Sequence, residues 1–258
     1  MKHKAFVILF FLLLFPAIGG SQTTKDETVS EREKAVLLKV TKRFVREMQQ
    51  KRDVNKLSRD LFVKDGDLVF MGTLLLQELD KSKSNYKLTS QQMRRLSVAW
   101  MNYMYIIGLD RVVGDGPFDL TTIVSPSLRP RLLKIEDEMD SLRKNITRNG
   151  LQRFLARMER TLAAAGHYLK TKNVEQSRKY KNEIAEREKS DLYNYSVDVT
   201  FYDPNDDSDD EIVSLIRRFG PGCKAFSVGT PYGYALFIVK QKKRYKIFGM
   251  YPHPISGR

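Results

Sequence analysis

The run Phe226–Tyr251, FSVGTPYGYALFIVKQKKRYKIFGMY, decides the fold. Phe226 and Val228 alternate with Ser227 and Gly229, the period-two pattern of a strand. Thr230-Pro231-Tyr232-Gly233 reads as a turn, because proline presets φ and glycine supplies a left-handed position. Tyr234, Leu236 and Ile238 then fall on one face of a second strand, and Ala235, Phe237 and Val239 on the other. Both faces are apolar, so this strand is expected to be central and covered on both sides. Gln241–Arg244 is a polar turn. In the last strand Tyr245, Ile247 and Tyr251 are expected on one face and Lys246, Phe248 and Met250 on the other, with Pro252 and Pro254 ending the ladder. Upstream, Tyr195, Val197, Val199 and Phe201 alternate with polar residues and predict one more strand.

Ahead of the sheet the periodicity is helical. Leu37, Val40, Phe44 and Met48 make the apolar stripe of a first helix from about Ser30 to Lys51, and Lys34, Lys39, Lys42, Arg43 and Arg46 make its basic face. Thr89 or Ser90 caps a further helix in which Met93, Leu96, Trp100, Tyr103 and Ile107 form one stripe and Val98, Met101 and Tyr105 cover the other side. A helix apolar nearly all round is buried, and its Ala99–Leu109 run is too short for a membrane span. Leu132, Ile135, Met139, Leu142 and Ile146 repeat at helical spacing, and so do Leu151, Leu155, Met158, Leu162, Ala165 and Leu169. With Asn149-Gly150 between them, these stripes predict an antiparallel helical hairpin turning at that dipeptide. The expected class is α+β: a C-terminal antiparallel sheet packed against N-terminal and central helices, with the hairpin. The expected organisation is a signal peptide over 1–21 and one domain over 22–258. Within it, 22–72 carries the N-terminal helices, 73–190 a helical region and 191–258 the sheet region.

RFVREMQQKRDVNKLSRDLFVKD (Arg43–Asp65), read with the closing strands YALFIVKQKKRYKIFGMY, resembles the two ends of NTF2-like (cystatin-like α+β cone) domains. The resemblance implies a long first helix, a second helix and a curled sheet around a pocket. A long and mostly helical stretch separates the two ends here, where that family has a few strands and one short helix. The family hosts enzymes, binding proteins and structural modules alike, so the resemblance implies no particular activity.

Lys2 and Lys4 precede an apolar run from Ala5 to Phe15, then Pro16, Gly19, Gly20 and Ser21. That order reads as a secretory signal peptide cut after Ser21, and it places the mature chain in a secreted or periplasmic location. The single cysteine, Cys223, excludes an intrachain disulfide, so the core alone must hold the domain. A formal charge of +14 favours an anionic surface as a partner, although the lysines and arginines are spread along the chain and form no basic tail.

The chemistry-bearing motifs are mostly missing. There is no P-loop, zinc motif, dinucleotide fingerprint or nucleophile elbow, and no catalytic residue, cofactor or metal site is expected. The acidic run Asp203–Glu211 lacks the glycine and terminal glutamate of a calcium loop, and reads as a solvated loop capping a helix over Ile212–Phe219. His167, near the end of a helical arm, reads as a packing or helix-terminal residue. A methionine and aromatic set such as that around Trp100 belongs to a core first. Were a ligand pocket present, Trp100, Tyr103, Tyr105 and Phe237 are the residues expected to line it.

These observations point to a non-catalytic secreted or periplasmic binding or scaffold protein, its partner an unidentified small molecule or protein. The hairpin or a basic face would meet that partner. Two other readings compete. One is an enzyme with a cone-shaped pocket acting on a small molecule through Asp198 or Asp119. The other is a polyanion or membrane-surface binder using the basic faces. No sequence-specific nucleic-acid partner is expected.

Overall fold

The computed structural model describes residues 29–64, 67–68, 88–113, 124–144, 147–172, 197–201, 219–220 and 222–252, with positions 178, 181–182, 185–186 and 216. The expected signal peptide, the acidic run 203–211 and Asp119 lie outside the described residues. From Glu31 onward the chain is one compact unit with an α+β fold. Its helices are α1 (Glu31–Lys51), α2 (Ser90–Val113), α3 (Arg129–Lys144) and α4 (Arg148–Lys172). Its strands are β1 (Val197–Phe201), β2 (Lys224–Gly229), β3 (Tyr234–Gln241) and β4 (Arg244–Pro252).

The four strands form an antiparallel meander in the order β1-β2-β3-β4. The Thr230–Gly233 turn is held from within. The backbone N–H of Thr230 and its hydroxyl both donate to the Tyr234 carbonyl, at 2.9 and 2.7 Å. β3 is internal, and Tyr234, Ala235, Leu236, Ile238 and Val239 are all buried, with Phe237 half-buried, so both of its faces are covered.

One strand departs from simple alternation. Phe237 pairs with Gly249 while Ile238 pairs with Ile247, which leaves Phe248 as the extra residue of a bulge. The bulge reverses the expected facing beyond Phe248. Tyr251 pairs with Ala235 and stacks on Phe237 at 4.4 Å, and Phe248 stacks on the same ring at 5.5 Å. Tyr251 therefore shares a face with Phe248 and not with Ile247. Gly249 is the local cause, since a residue without a side chain accommodates the kink next to the crowded Phe237 ring. The free edge of β4 is shielded where Val63 N–H donates to the Ile247 carbonyl at 3.1 Å, a short parallel bridge from the segment after α1.

α1 and α2 pack on the sheet, and α4 packs on α2 with α3 alongside. α1 lays Leu37, Thr41, Phe44, Val45 and Met48 inward, and Phe44 meets Tyr234 edge to face at 6.4 Å. Its first turn is pinned by Glu33, which accepts from Lys240 Nζ at 2.7 Å and from the Tyr245 hydroxyl at 2.6 Å. α2 starts at a reciprocal capping box. Gln92 N–H donates to Thr89 Oγ1 at 3.2 Å, and Thr89 N–H donates to Gln92 Oε1 at 2.9 Å. From Leu96 to Leu109 every residue of α2 except Asn102 is buried, because the helix is enclosed between the sheet and α4.

α3 and α4 form the hairpin, but its turn is not Asn149-Gly150. α4 already includes both residues. Thr147 caps it, accepting from Gly150 N–H at 3.0 Å through its hydroxyl, with its carbonyl taking Leu151 N–H at 2.9 Å. A threonine cap at this point satisfies the first helical donors, and that outweighs the turn preference of the dipeptide after it.

Candidate binding site

The end of α1 borders a recess with a largely polar lining. Arg52 N–H bonds to the Met48 carbonyl at 2.7 Å, and Arg52 takes a left-handed φ of 52°, which stops the helix. Asp53 then turns extended and caps the 3₁₀ turn Val54–Lys56, accepting from Asn55 N–H at 3.0 Å. Asn102 reaches across from α2. Its Oδ1 accepts from Val54 N–H at 2.9 Å and its Nδ2 donates to Asp53 Oδ1 at 3.2 Å. One amide thus satisfies a backbone donor and a carboxylate, which explains an asparagine in the middle of the buried stretch of α2.

α4 closes the far side. Gly166 approaches Arg52 so closely that a Cβ there would stand 3.3 Å from the Arg52 carbonyl oxygen. About two turns earlier, Glu159 forms a two-pronged pair with Arg95 of α2, at 2.9 Å to Nε and 2.8 Å to Nη2. Between these contacts lies a recess of about 570 Å³. Its lining carries Lys51, Arg52, Lys56, Arg95, His167 and Lys170 against the carboxylates Asp53 and Glu159.

Both carboxylates already have hydrogen-bond donors: Asn55 N–H and Asn102 for Asp53, Arg95 for Glu159. The nearest ammonium group to Asp53, Lys56 Nζ, is 3.9 Å away, at the limit of an ion pair. The lining therefore presents an excess of positive charge to whatever enters. It holds no serine, threonine, cysteine or tyrosine among the described residues, so any nucleophile there would have to be a lysine, His167 or a carboxylate. Cys223 lies elsewhere, before β2, with its Sγ 3.5 Å from the Ile216 carbonyl, and burial pushes its thiol above the usual range. Among the described residues no group of three His, Cys, Asp or Glu side chains gathers as a metal site would require.

A second cluster supports the first from behind. Glu47 of α1 accepts from Lys51 Nζ at 2.8 Å, Arg43 Nε at 3.1 Å, Ser58 N–H at 2.8 Å and the Ser58 hydroxyl at 2.8 Å. Burial works to raise this carboxyl, but the lysine and the two Ser58 hydrogen bonds outweigh it and hold the group at about 2. Arg43 also grips Asp60 with two bonds of 2.7 and 2.9 Å. These bonds fix the segment after α1 against the helix, and with it the position of Asp53.

The aromatic residues named as pocket candidates sit elsewhere. Trp100, Tyr103 and Tyr105 are 2 to 3 % exposed, and the Trp100 and Tyr103 rings pack against each other at 5.4 Å. Phe237 is half-buried in the stack with Phe248 and Tyr251. None of the four lines the recess. Asp198 is in β1, opposite Ser227. Of the residues singled out for chemistry in the sequence, only His167 is in the recess lining.

No family model, curated protein or solved structure matches this chain. Among the described residues no helix is long and apolar enough to cross a membrane.

Proposed function

We propose that this chain is a non-catalytic binding protein, exported from the cytoplasm, that holds a small anionic molecule in the recess between α1, α2 and α4. The observation that carries this reading is the charge imbalance of the lining: with Arg95 paired to Glu159 and Lys51 to Glu47, Arg52, Lys56 and Lys170 still stand against the single carboxylate Asp53. Ammonium groups around a partly enclosed volume focus potential on an anion more strongly than the same groups on a convex surface. A relation of the first helix and closing strands to NTF2-like domains belongs to the same proposal. The ligand position proposed here is outside the sheet, however, and not in the interior of a cone.

The test is calorimetric titration of the purified chain with inorganic phosphate, citrate and glucose 6-phosphate, with glucose as the neutral control. Saturable binding of at least one anion is expected, weakened about tenfold or more when Lys56→Glu and Lys170→Glu are combined. Both side chains are exposed, so the double variant should fold as the parent does. Absence of saturable binding, or binding indifferent to the two reversals, sinks the proposal. Consumption of any of these probes would replace it with the enzymatic reading.

A further inference from the structure

The recess at the end of α1 is too large for a bare anion. Its volume of about 570 Å³ lies in the range of pockets that take whole small molecules, about 300–1,000 Å³. The body attached to the charge meets polar groups there. Asp53 Oδ1 is occupied by Asn55 N–H at 3.0 Å and by Asn102 Nδ2 at 3.2 Å. Asp53 Oδ2 accepts no hydrogen bond among the described residues, and Lys56 Nζ is 3.9 Å from it. The side-chain amide of Asn55 makes no hydrogen bond among them either. Leu162 and Ala163 add an apolar patch on the α4 wall.

A carboxylate in an anion site weakens it, because it repels the ligand it helps to surround. The structural duty of Asp53 falls on Oδ1 alone, and an asparagine would perform it without that repulsion. The second oxygen gains a use if the ligand carries a hydrogen-bond donor beside its negative charge. The charge balance sets the size of that negative charge. Five lysine and arginine side chains line the recess; Asp53 and Glu159 offset two of them and Glu47, 2.8 Å from Lys51 Nζ, offsets a third, so two positive charges remain. They complement a phosphate monoester, which carries about −1.5 to −2 at pH 7.

Resting on the reading of the recess as an anion site, we infer that its ligand is a sugar phosphate, with the phosphate held by the lysines and arginines and a hydroxyl donating to Asp53 Oδ2. Asn55 can both donate to hydroxyls and accept from them, and the C–H face of a sugar ring packs on Leu162 and Ala163. A plain dianion would leave Asp53 beside it as a like charge. An ammonium on the ligand would also satisfy Asp53, but it would add a cation to a site already in excess of them.

The experiment is calorimetric titration of the purified chain at about pH 7.5, where the phosphate is close to a dianion. The sugar phosphates are glucose 6-phosphate and ribose 5-phosphate. Methyl phosphate keeps the dianion without hydroxyls, glucose 6-sulfate keeps the hydroxyls with one negative charge, and phosphoethanolamine carries an ammonium. At least one sugar phosphate is expected to bind about tenfold or more tighter than methyl phosphate, and glucose 6-sulfate more weakly than glucose 6-phosphate. Asp53→Asn keeps Oδ1 and both of its hydrogen bonds, and far-UV circular dichroism checks its fold. Its effects should cross: methyl phosphate binds more tightly because a repulsion is gone, the sugar phosphate more weakly, and their difference shrinks to about threefold or less. Equal weakening of both ligands overturns the inference. So does methyl phosphate matching both sugar phosphates in the parent, a comparison that needs no variant and leaves the recess an anion site. Glucose 6-sulfate equal to glucose 6-phosphate, or phosphoethanolamine tighter than both sugar phosphates, overturns it as well. If no anion saturates, this inference and the anion site fall together.

Discussion

Gly108 of α2 faces the backbone of Tyr232 with no room for a side chain: a Cβ at that position would stand 2.4 Å from the Tyr232 carbonyl oxygen and 3.0 Å from Tyr234 Cδ1. This contact seats the buried helix on the β2–β3 turn. Two effects of Gly108→Ala oppose each other. Alanine is the better helix former by about 1 kcal/mol. The clash is with backbone and cannot be relieved by a rotamer change, and overpacking of this kind costs about 1–3 kcal/mol. The clash should win, leaving the variant less stable by up to about 2 kcal/mol. Urea unfolding should show a lower midpoint with an unchanged slope. A higher midpoint would mean that the helix does not approach the turn this closely.

Glu47 predicts an acid-sensitive contribution to stability. Its carboxyl is held at about 2 in the folded chain. A group lowered on folding stabilises fully above its unfolded value, and the contribution disappears as pH falls through the folded value. The window is therefore about pH 4.5 down to about 2. With part of the effect screened by solvent, roughly 1–2 kcal/mol is expected. Glu47→Gln should be less stable than the parent at neutral pH, and the difference should shrink steadily below about pH 4.5. A difference that stays constant from pH 7 to pH 2.5 would show that the carboxylate charge has no part in holding Ser58 and Lys51.

Trp100 separates a core role from a ligand-lining role. It is 2 % exposed and packed on Tyr103. Trp100→Phe should cost about 1–3 kcal/mol through lost packing, with binding of the anion probes unchanged in the folded variant. Since this is the only tryptophan, its fluorescence reports the core directly, and quenching by acrylamide should be weak. Strong quenching, or loss of anion binding without loss of stability, would place the ring at a site.

The sequence patterns that succeeded were local. The double apolar face of β3, the all-round apolar α2 and the Thr89 cap each follow from residues within one or two turns or one strand of each other. The bulge at Phe248 escaped the alternation rule because the pattern of β4 is apolar on both sides, so a register shift leaves no mark in hydrophobicity alone. The hairpin turn was misplaced by two or three residues because a threonine cap and an Asn-Gly dipeptide compete within five positions. The recess was not legible for a different reason. Asp53 and Asn102 are 49 residues apart and Arg95 and Glu159 are 64 apart, and neither pair belongs to a spaced motif. The available signal was Asn102 itself, a polar residue in the middle of a buried helix. A side chain in that position must find partners, and its partners mark the polar surface nearest the core.

Asn102 also gives the sharpest test of the recess geometry. Its amide accepts from Val54 N–H and donates to Asp53, so the two ends of the group have different duties. Asn102→Asp keeps the acceptor and replaces the donor with a carboxylate oxygen at about 3 Å from another carboxylate, at near-identical volume. Like charges at that separation are strongly unfavourable in a partly enclosed site. A loss of about 2 kcal/mol is expected at neutral pH. The loss should diminish on acidification, since protonating either carboxyl restores a donor between them. Asn102→Leu should behave differently: it leaves Val54 N–H without its acceptor, costs about 1–3 kcal/mol and shows no such recovery in acid. Chemical unfolding of the two variants at pH 7 and pH 4 distinguishes them. Equal losses at both pH values for Asn102→Asp would mean that its side chain does not face Asp53, and the recess would lose the contact that shapes its floor.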